Sequence, residues 1–161
     1  MKITVFLICV GKIRESYLKE GIAEYQKRLS RFCHLSIIET EEEVIPEICK
    51  EKDCIRILDR EAEAIKKRIP SPSLLLSLDI EGKNFSSEEW ADWLYQFSAH
   101  ASKPLVFLIG GSLGLSKELR KSSDFRISLS SMTFPHGLCR LIFLEQLFRA
   151  FKLMHKEKYH K

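Results

Sequence analysis

The chain has 161 residues, a length that fits one domain with a substantial core. Hydrophobic residues make up 45% of it and charged residues 30%, a composition that excludes an intrinsically disordered chain. The formal net charge is only +4, so overall charge does not by itself indicate a nucleic-acid-binding protein. We therefore expect a single domain spanning residues 1–161, whose function depends on local patterns.

The amino-terminal apolar segment predicts a first strand rather than a secretion signal. It is short, contains Thr4 and leads into Gly11-Lys12 instead of a small-residue cleavage site. No segment approaches the ~20 apolar residues that a membrane helix needs. We expect a cytoplasmic protein without membrane or metal partners. Its five cysteines have no CxxC or zinc-ligand spacing and are expected to be reduced thiols: Cys9, Cys33, Cys49, Cys54 and Cys139.

Strand-like and helix-like patterns alternate along the chain. Apolar and β-branched runs predict buried strands at residues 3–10, 35–39, 74–80, 105–109 and 125–129. Helical spacing predicts helices at 14–32, 53–67, from a capping Ser86 onward, 117–121 and about 136–154, and Pro46 fits the first turn of a helix. This alternation indicates an α/β domain with a largely parallel sheet.

Glycine- and serine-rich segments follow two of the predicted strands. Gly110-Gly111-Ser112-Leu113-Gly114 comes after the fourth strand, and residues 129–134 come after the fifth. We call the segment that follows a strand its strand exit. Two such exits lying side by side predict a ligand cleft at the carboxyl edge of the sheet. The glycines lack the GxGxxG and Walker patterns, which disfavours another kind of α/β nucleotide binder. The second segment suits a neutral heterocycle such as adenine. It also fits capping of the following helix by Thr133, with Pro135 at the first helical position, and the two interpretations can hold together.

The last predicted helix is apolar around nearly its whole circumference. Only Glu145, Arg149 and Lys152 form a polar stripe, so the helix is expected to be buried on more than one side. In a chain of this size, one side is expected to pack on the sheet and the other on a second copy, which predicts a homodimer. The basic tail after it is either a solvated terminus or a surface that stacks on a base and contacts phosphate.

Ordered motifs along the whole chain resemble one family, the ribosomal RNA large subunit methyltransferase H family of the SPOUT class. They include Val10-Gly11-Lys12, the segments 78–83 and 109–111, the segment 129–136 and the terminal Tyr159-His160-Lys161. The resemblance implies a single-domain SPOUT (α/β knot) fold. Its sheet would have five to six mostly parallel strands with helices on both faces, and its C-terminal region a trefoil knot, a feature rare among proteins in general. It also implies a homodimer.

The family resemblance further implies an activity. The expected reaction transfers a methyl group from S-adenosylmethionine to N3 of a pseudouridine in helix 69 of 23S ribosomal RNA, within the assembled 70S ribosome. The alternative is a non-catalytic, ribosome-associated RNA-binding or assembly module with a SPOUT-like fold. The cofactor positions carried over from the family are Leu78, Gly110, Leu129, Ser130, Ser131, Met132, Thr133 and Phe134.

Roles in catalysis and RNA binding are expected at the end of the chain. His160 is predicted to act as the base or as a positioning group, assisted by Tyr159. Lys158, Lys161 and Arg140 are predicted to contact RNA phosphate or ribose. Just before the terminal motif, some family members carry Asn-His-Pro where this chain has Lys156-Glu157-Lys158.

Overall fold

Five strands form one parallel sheet in the computed structural model, which describes residues 2–100 and 102–156 except for the side chains of residues 99 and 100. The strands are β1 (Ile3–Val10), β2 (Cys33–Thr40), β3 (Leu74–Asn84), β4 (Leu105–Ile109) and β5 (Phe125–Ser128). They lie in the order β2-β1-β4-β3-β5, and every neighbouring pair is parallel. The predicted α/β fold with a parallel sheet is therefore confirmed, whereas the knot stays a prediction.

Helices cover both faces of this sheet. They are α1 (Ser16–Leu29), α2 (Glu51–Lys66), α3 (Ser87–His100), α4 (Lys117–Ser122) and α5 (His136–Met154). Alternate residues of β1 and β4 point to opposite faces, as the pleat of a strand requires. Val5 and Phe107 pack in the core beneath α1, α3 and α5, while Ile8 and Leu108 pack in the core beneath α2 and α4.

Helix α5 lies between α1 and α3 on one face of the sheet. The Phe148 ring meets those of Tyr25 and Phe32 edge-on, with centroids 6.0 and 5.9 Å apart. On the other side, the Ser87 hydroxyl of α3 donates a hydrogen bond of 2.8 Å to Gln146. All residues of α5 are buried or half-buried within the chain. Neighbouring helices thus cover part of the apolar circumference, so this pattern alone does not require a second copy, and the dimer stays a prediction.

Strand β3 is longer than predicted because it contains a bulge. Leu78 pairs with Ile127, and Lys83 then pairs with the same residue, so residues 79–82 loop out of the ladder. Gly82 permits this loop, since a Cβ there would lie 2.6 Å from the Ile127 backbone nitrogen. The bulge ends the apolar part of β3 and presents charged side chains at the carboxyl edge of the sheet.

Several predicted boundaries differ from the structure. Helix α1 spans Ser16–Leu29 rather than the predicted 14–32, because turns closed by the N–H groups of Ser30 and Phe32 end it. Strand β2 starts two residues early, at Cys33, since its ladder with β1 begins there. Pro46 starts no helix, because residues 41–50 form a loop before α2. Within this region Cys49 and Cys54, expected as separate thiols, form a disulfide with Cα atoms 6.0 Å apart.

Candidate active site

A large cavity opens at the carboxyl edge of the sheet, where the segments after β3, β4 and β5 meet. Its volume is about 1340 Å³. These three segments supply most of its wall, and α2, α4 and the start of α5 supply the rest. Carboxyl ends of parallel strands are the usual place for ligands in α/β folds. The predicted cleft is therefore present as a cavity.

The turn after β4 is built from glycines because its backbone doubles back tightly. Gly111 and Gly114 form an isolated antiparallel bridge, in which the Gly114 N–H donates to the Gly111 carbonyl at 3.0 Å. Gly114 has φ +79°, which favours glycine, and a Cβ on Gly110 would overlap the Gly114 carbonyl. The Ser116 hydroxyl then caps α4 by accepting from the Leu119 N–H at 3.2 Å.

The loop of residues 129–134 contains backbone N–H groups without a hydrogen-bond acceptor in the described part of the chain. Ser130 accepts two hydrogen bonds. Its carbonyl accepts one from the Ser128 hydroxyl at 2.9 Å, and its hydroxyl accepts one from the Met132 N–H at 3.0 Å. In the described part of the chain, no acceptor binds the backbone N–H of Ser131, Thr133 or Phe134. The prediction that Thr133 caps the last helix is wrong, because α5 begins after Pro135 without a side-chain cap.

A charged network lies where β3 leaves the cavity wall. The Arg126 guanidinium donates to Asp79 at 3.0 and 2.5 Å, and Arg120 lies 3.6 Å from Asp79 and 3.3 Å from Glu81. Burial by itself would raise the pKa of Asp79. Hydrogen bonds from Arg126 and the Glu81 N–H, together with the charges of Arg126 and Arg120, hold the pKa of this carboxyl below its ordinary value. Asp79 is therefore a fixed negative charge beside the cavity.

Most of the expected cofactor positions converge on this cavity. Of the eight, seven contribute to the wall: Leu78, Gly110, Leu129, Ser130, Met132, Thr133 and Phe134. Ser131 belongs to the same loop, but its side chain is exposed and does not line the cavity. The expected catalytic and RNA-binding residues Lys158, Tyr159, His160 and Lys161 lie outside the described residues.

Arg140 is placed differently from the expected RNA contact. Only 2% of its side chain is exposed, and its guanidinium donates to Glu39 at 2.8 Å. The same group donates to the carbonyls of Val10 and Gly11 at 3.2 and 2.5 Å. An RNA phosphate could reach Arg140 only if these contacts broke and the side chain left the interior. This placement supports a structural role that ties α5 to the ends of β1 and β2.

Other residues of the cavity wall were not anticipated from the sequence. They are Ile55, Leu58 and Asp59 of α2, Lys117, Arg120 and Lys121 of α4, and Cys139 of α5. His136, which the sequence places beside the predicted cleft, also lines the cavity. The cations at positions 117, 120 and 121 of α4 are visible in the sequence, whereas nothing in the sequence indicates that α2 would line the cavity. In residues 2–100 and 102–156, no cluster of His, Cys, Asp or Glu has the arrangement of a metal site.

Relatives of this chain identify its family. A sequence profile described as "Predicted SPOUT methyltransferase" matches residues 1–160. The chain is 51% identical to a ribosomal RNA large subunit methyltransferase H of Acetivibrio thermocellus and 47% identical to one of Carboxydothermus hydrogenoformans, each across 161 residues and the full length of both proteins. The chain belongs to the ribosomal RNA large subunit methyltransferase H family. The family inferred from the sequence motifs is thus confirmed.

A solved structure has a fold similar to that of this chain. It is a probable methylase family protein from Haemophilus influenzae, with a TM-score of 0.52 at 16% identity, over 99% of this chain and 70% of that one. At this identity the likeness shows the fold alone. Membership of the SPOUT methyltransferases identifies S-adenosylmethionine as the cofactor. No helix in the described ranges has the length and apolarity needed to cross a membrane.

The cavity of this family member has features that suit S-adenosylmethionine. The unpaired backbone N–H groups of Thr133 and Phe134, two residues of the cavity wall, could donate hydrogen bonds to the ring nitrogens of adenine. Leu78 and Phe134 supply apolar surface in the same wall. The tight turn at Gly110 brings backbone rather than side chain to the cavity. Donors, apolar surface and volume therefore fit a nucleoside-containing cofactor.

Proposed function

We propose that the chain transfers a methyl group from S-adenosylmethionine to N3 of a pseudouridine in helix 69 of 23S ribosomal RNA. It would act in the cytoplasm as a homodimer on the assembled 70S ribosome. One observation carries the proposal: the three strand exits expected to hold the cofactor line a single cavity. Relatives at 51% and 47% identity that are named as ribosomal RNA methyltransferases support ribosomal RNA as the substrate class.

The described residues would bind and orient the cofactor. The loop 129–134 would hold adenine through its backbone, Leu78 would add apolar contact, and the turn at Gly110 would allow close approach of the chain. When bound, S-adenosylmethionine supplies a methyl group that its sulfonium already activates for transfer. Alignment of two reactants can contribute about 7–11 kcal/mol toward lowering a barrier. Positioning by these segments would therefore be the main contribution of the chain.

Removal of the N3 proton is assigned to the end of the chain. His160 would accept this proton or orient the base, and Tyr159 would assist it. A positioned general base typically contributes about 10²–10⁴-fold in rate. Lys158 and Lys161 would contact RNA phosphate, which positions the substrate without reading its sequence. Near-normal single-turnover methylation by His160→Ala would contradict the role given to His160.

Cofactor binding is tested by titration calorimetry with S-adenosylmethionine. The wild-type protein is expected to bind, and Gly110→Ala to bind about tenfold more weakly or not at all, because the turn must shift to admit the methyl group. Gly21→Ala is the matched control. A Cβ there meets only the flexible end of Leu141, at 3.0 Å, on a helix away from the cavity. Absence of binding by the wild-type protein would contradict the enzyme proposal.

The reaction is tested with ribosomes from a strain that lacks the enzyme. Purified protein and labelled cofactor are added to 70S particles or to naked 23S RNA, and mass spectrometry locates the product. Methyl transfer to N3 of the helix 69 pseudouridine on 70S particles is expected. Cofactor binding without methyl transfer to either substrate would favour the non-catalytic module instead.

A further inference from the structure

Glu42 follows β2, yet its carboxylate reaches the glycine turn after β4. Its Oε1 accepts a hydrogen bond from the Ser112 backbone N–H at 3.2 Å and another from the Ser112 hydroxyl at 2.9 Å, across 70 residues of sequence. Ser112 belongs to the turn that lines the cavity. One side chain from outside the turn thus holds both a backbone group and a side-chain group of this wall.

Two glycines from different strand exits leave the space that this carboxylate occupies. A Cβ on Gly111 would lie 3.0 Å from Glu42 Oε1, and a Cβ on Gly11 would lie 3.0 Å from Glu42 Oε2. Both separations are tighter than nine in ten real Cβ contacts. A side chain at Gly11 or Gly111 would therefore press on the carboxylate. The ends of β1 and β4 are shaped around the Glu42 side chain.

The turn needs an outside contact because glycines give it freedom. Its own bridge is a single backbone hydrogen bond, from Gly114 to Gly111 at 3.0 Å. Glycine loses more conformational entropy on ordering than any other residue. A wall that had to become ordered only when a ligand binds would reduce affinity by the free energy of that ordering. A contact that orders the turn beforehand removes this loss.

We infer that Glu42 is a positioning residue for the cofactor. It holds the turn of residues 110–114 in the conformation that receives S-adenosylmethionine, and it acts through Ser112 without touching the cofactor itself. This inference rests on the proposed function, namely that the cavity binds S-adenosylmethionine. The expected signature is an effect on cofactor affinity that follows the hydrogen bonds of Glu42 rather than its charge.

The test compares Glu42→Ala, Glu42→Gln and the control Glu41→Ala. Glu41 is exposed, and among the described residues it has no hydrogen-bond or ion-pair partner. Calorimetry with S-adenosylmethionine is expected to show binding about three- to tenfold weaker for Glu42→Ala, because the two hydrogen bonds that its exposed carboxylate accepts from Ser112 are lost. Glu42→Gln keeps an acceptor oxygen for Ser112 and is expected to restore binding to within about twofold of wild type. Glu41→Ala is expected to bind like wild type.

Two further readouts separate positioning from a general effect on stability. Without cofactor, hydrogen exchange of the peptide containing residues 110–114 is expected to speed up in Glu42→Ala and not in Glu41→Ala. In a methyl-transfer assay, KM for S-adenosylmethionine is expected to rise in Glu42→Ala while kcat at saturating cofactor stays close to wild type. A variant that merely lost stability would not confine its effect to KM for one substrate.

The outcomes are distinguishable. If the wild-type protein does not bind S-adenosylmethionine, the proposed function fails and the inference fails with it. If the wild-type protein binds but Glu42→Ala binds equally well, or no more weakly than Glu41→Ala, the inference alone is overturned. Should Glu42→Ala not fold, Ser112→Ala removes one of the two hydrogen bonds and is expected to weaken binding by about two- to threefold. Unchanged affinity in that variant would equally overturn the inference.

Discussion

Asp79 and Glu61 are shielded carboxyl groups whose pKa values move in opposite directions. The Asp79 side chain is 7% exposed and carries two hydrogen bonds from Arg126, and Glu61 is 4% exposed and accepts one from the Glu43 N–H at 3.1 Å. For Asp79, the guanidinium groups outweigh burial. For Glu61, burial is the largest influence on the pKa, and the nearby carboxylates of Glu42 and Glu43 add to it. The two residues therefore affect stability at different pH.

Asp79→Asn is expected to lower the free energy of unfolding at pH 7 by about 1–3 kcal/mol, because charge-assisted hydrogen bonds are lost. The lowered pKa of Asp79 means that the folded state favours its ionised form. Its contribution is present above the unfolded pKa of about 3.9 and is lost as the pH falls below that value. Urea unfolding at pH 7 and pH 3 is expected to show a smaller difference between variant and wild type at pH 3.

Asp92→Asn is the matched control for that experiment. Asp92 is exposed, and in the described part of the chain it has no hydrogen-bond or ion-pair partner, so this variant is expected to unfold like wild type at both pH values. A deficit for Asp79→Asn that is equally large at pH 3 and pH 7 would contradict the assigned pKa direction.

Glu61→Gln is expected to stabilise the protein at neutral pH. The pKa of Glu61 is raised, so the folded state favours its protonated form, and the resulting stability is lost as the pH rises above the unfolded pKa of about 4.3. Glutamine has no such loss and can still accept from the Glu43 N–H. Urea unfolding between pH 4 and pH 8 is expected to show the advantage of the variant growing with pH. A difference in stability between Glu61→Gln and wild type that does not change with pH would count against this account. Glu47→Gln, at an exposed glutamate, is the control.

At the scale of elements, Arg140 joins α5 to the ends of two strands. Its guanidinium donates hydrogen bonds to Glu39, near the end of β2, and to the carbonyls of Val10 and Gly11 at the end of β1. Glu39 in turn accepts from the Ile13 N–H at 3.1 Å, ahead of α1. This network, centred on the buried Arg140 side chain, sets where α5 starts relative to the sheet. Since α5 begins directly after the loop 129–134, the network also supports one wall of the cavity.

Arg140→Met separates this role from the RNA contact expected from the sequence. The variant keeps much of the side-chain volume but leaves buried carbonyls unpaired, so we expect a loss of about 3 kcal/mol in the free energy of unfolding. For a chain of this length the melting temperature would fall by roughly 6–12 °C. Calorimetry or a thermal scan checks this result.

The RNA-binding role makes a different prediction for the same variant. Loss of one phosphate contact lowers the slope of log affinity against log salt by about 1. We expect Arg140→Met, measured where it is folded, to keep the slope of the wild-type protein. Lys121→Met is the comparison variant, because it also replaces a cationic side chain by methionine but lies on the exposed rim of the cavity. A lower slope together with unchanged stability for Arg140→Met would restore the RNA-binding role.

For the whole molecule, the open prediction is the homodimer. Helix α5 is flanked by α1 and α3, yet many of its apolar residues are only half-buried, including Leu138, Leu141 and Ile142. A stable interface generally buries at least about 1,000 Å² in total. Light scattering at micromolar concentration is expected to give twice the chain mass. A strict monomer there would contradict the prediction.

A dimer would also help a chain of low charge to bind RNA. Each copy carries a net charge of +4, and association would double the charge presented to one substrate. Lys117 and Lys121 lie at the cavity rim and are exposed. These lysines are where a local basic surface can form despite the modest overall charge.

The sequence by itself determined the features that depend on neighbouring residues. Apolar runs separated by helical spacing identified all five strands and the parallel α/β class, because buried strands and amphipathic helices have different periods. Ser86 and Glu89 form the expected capping box, with hydrogen bonds of 2.7 and 3.1 Å. The two glycine- and serine-rich exits located the cavity, since parallel strands of one sheet end at the same edge. The family motifs added Leu78, in the third segment that lines the cavity.

Only the tertiary structure decided the features that join distant parts of the chain. Glu42 and Ser112 are 70 residues apart, and Arg140 is separated from Glu39 by 101. No local period or propensity encodes such pairs, because they depend on the strand order β2-β1-β4-β3-β5 and on how α5 returns across the sheet. The loop after β2 carries the Glu42 carboxylate past the end of β1 to the turn after β4, and the packing of α5 turns an expected RNA-binding arginine into a buried one. Local pattern specifies the elements, and their packing decides which side chains meet.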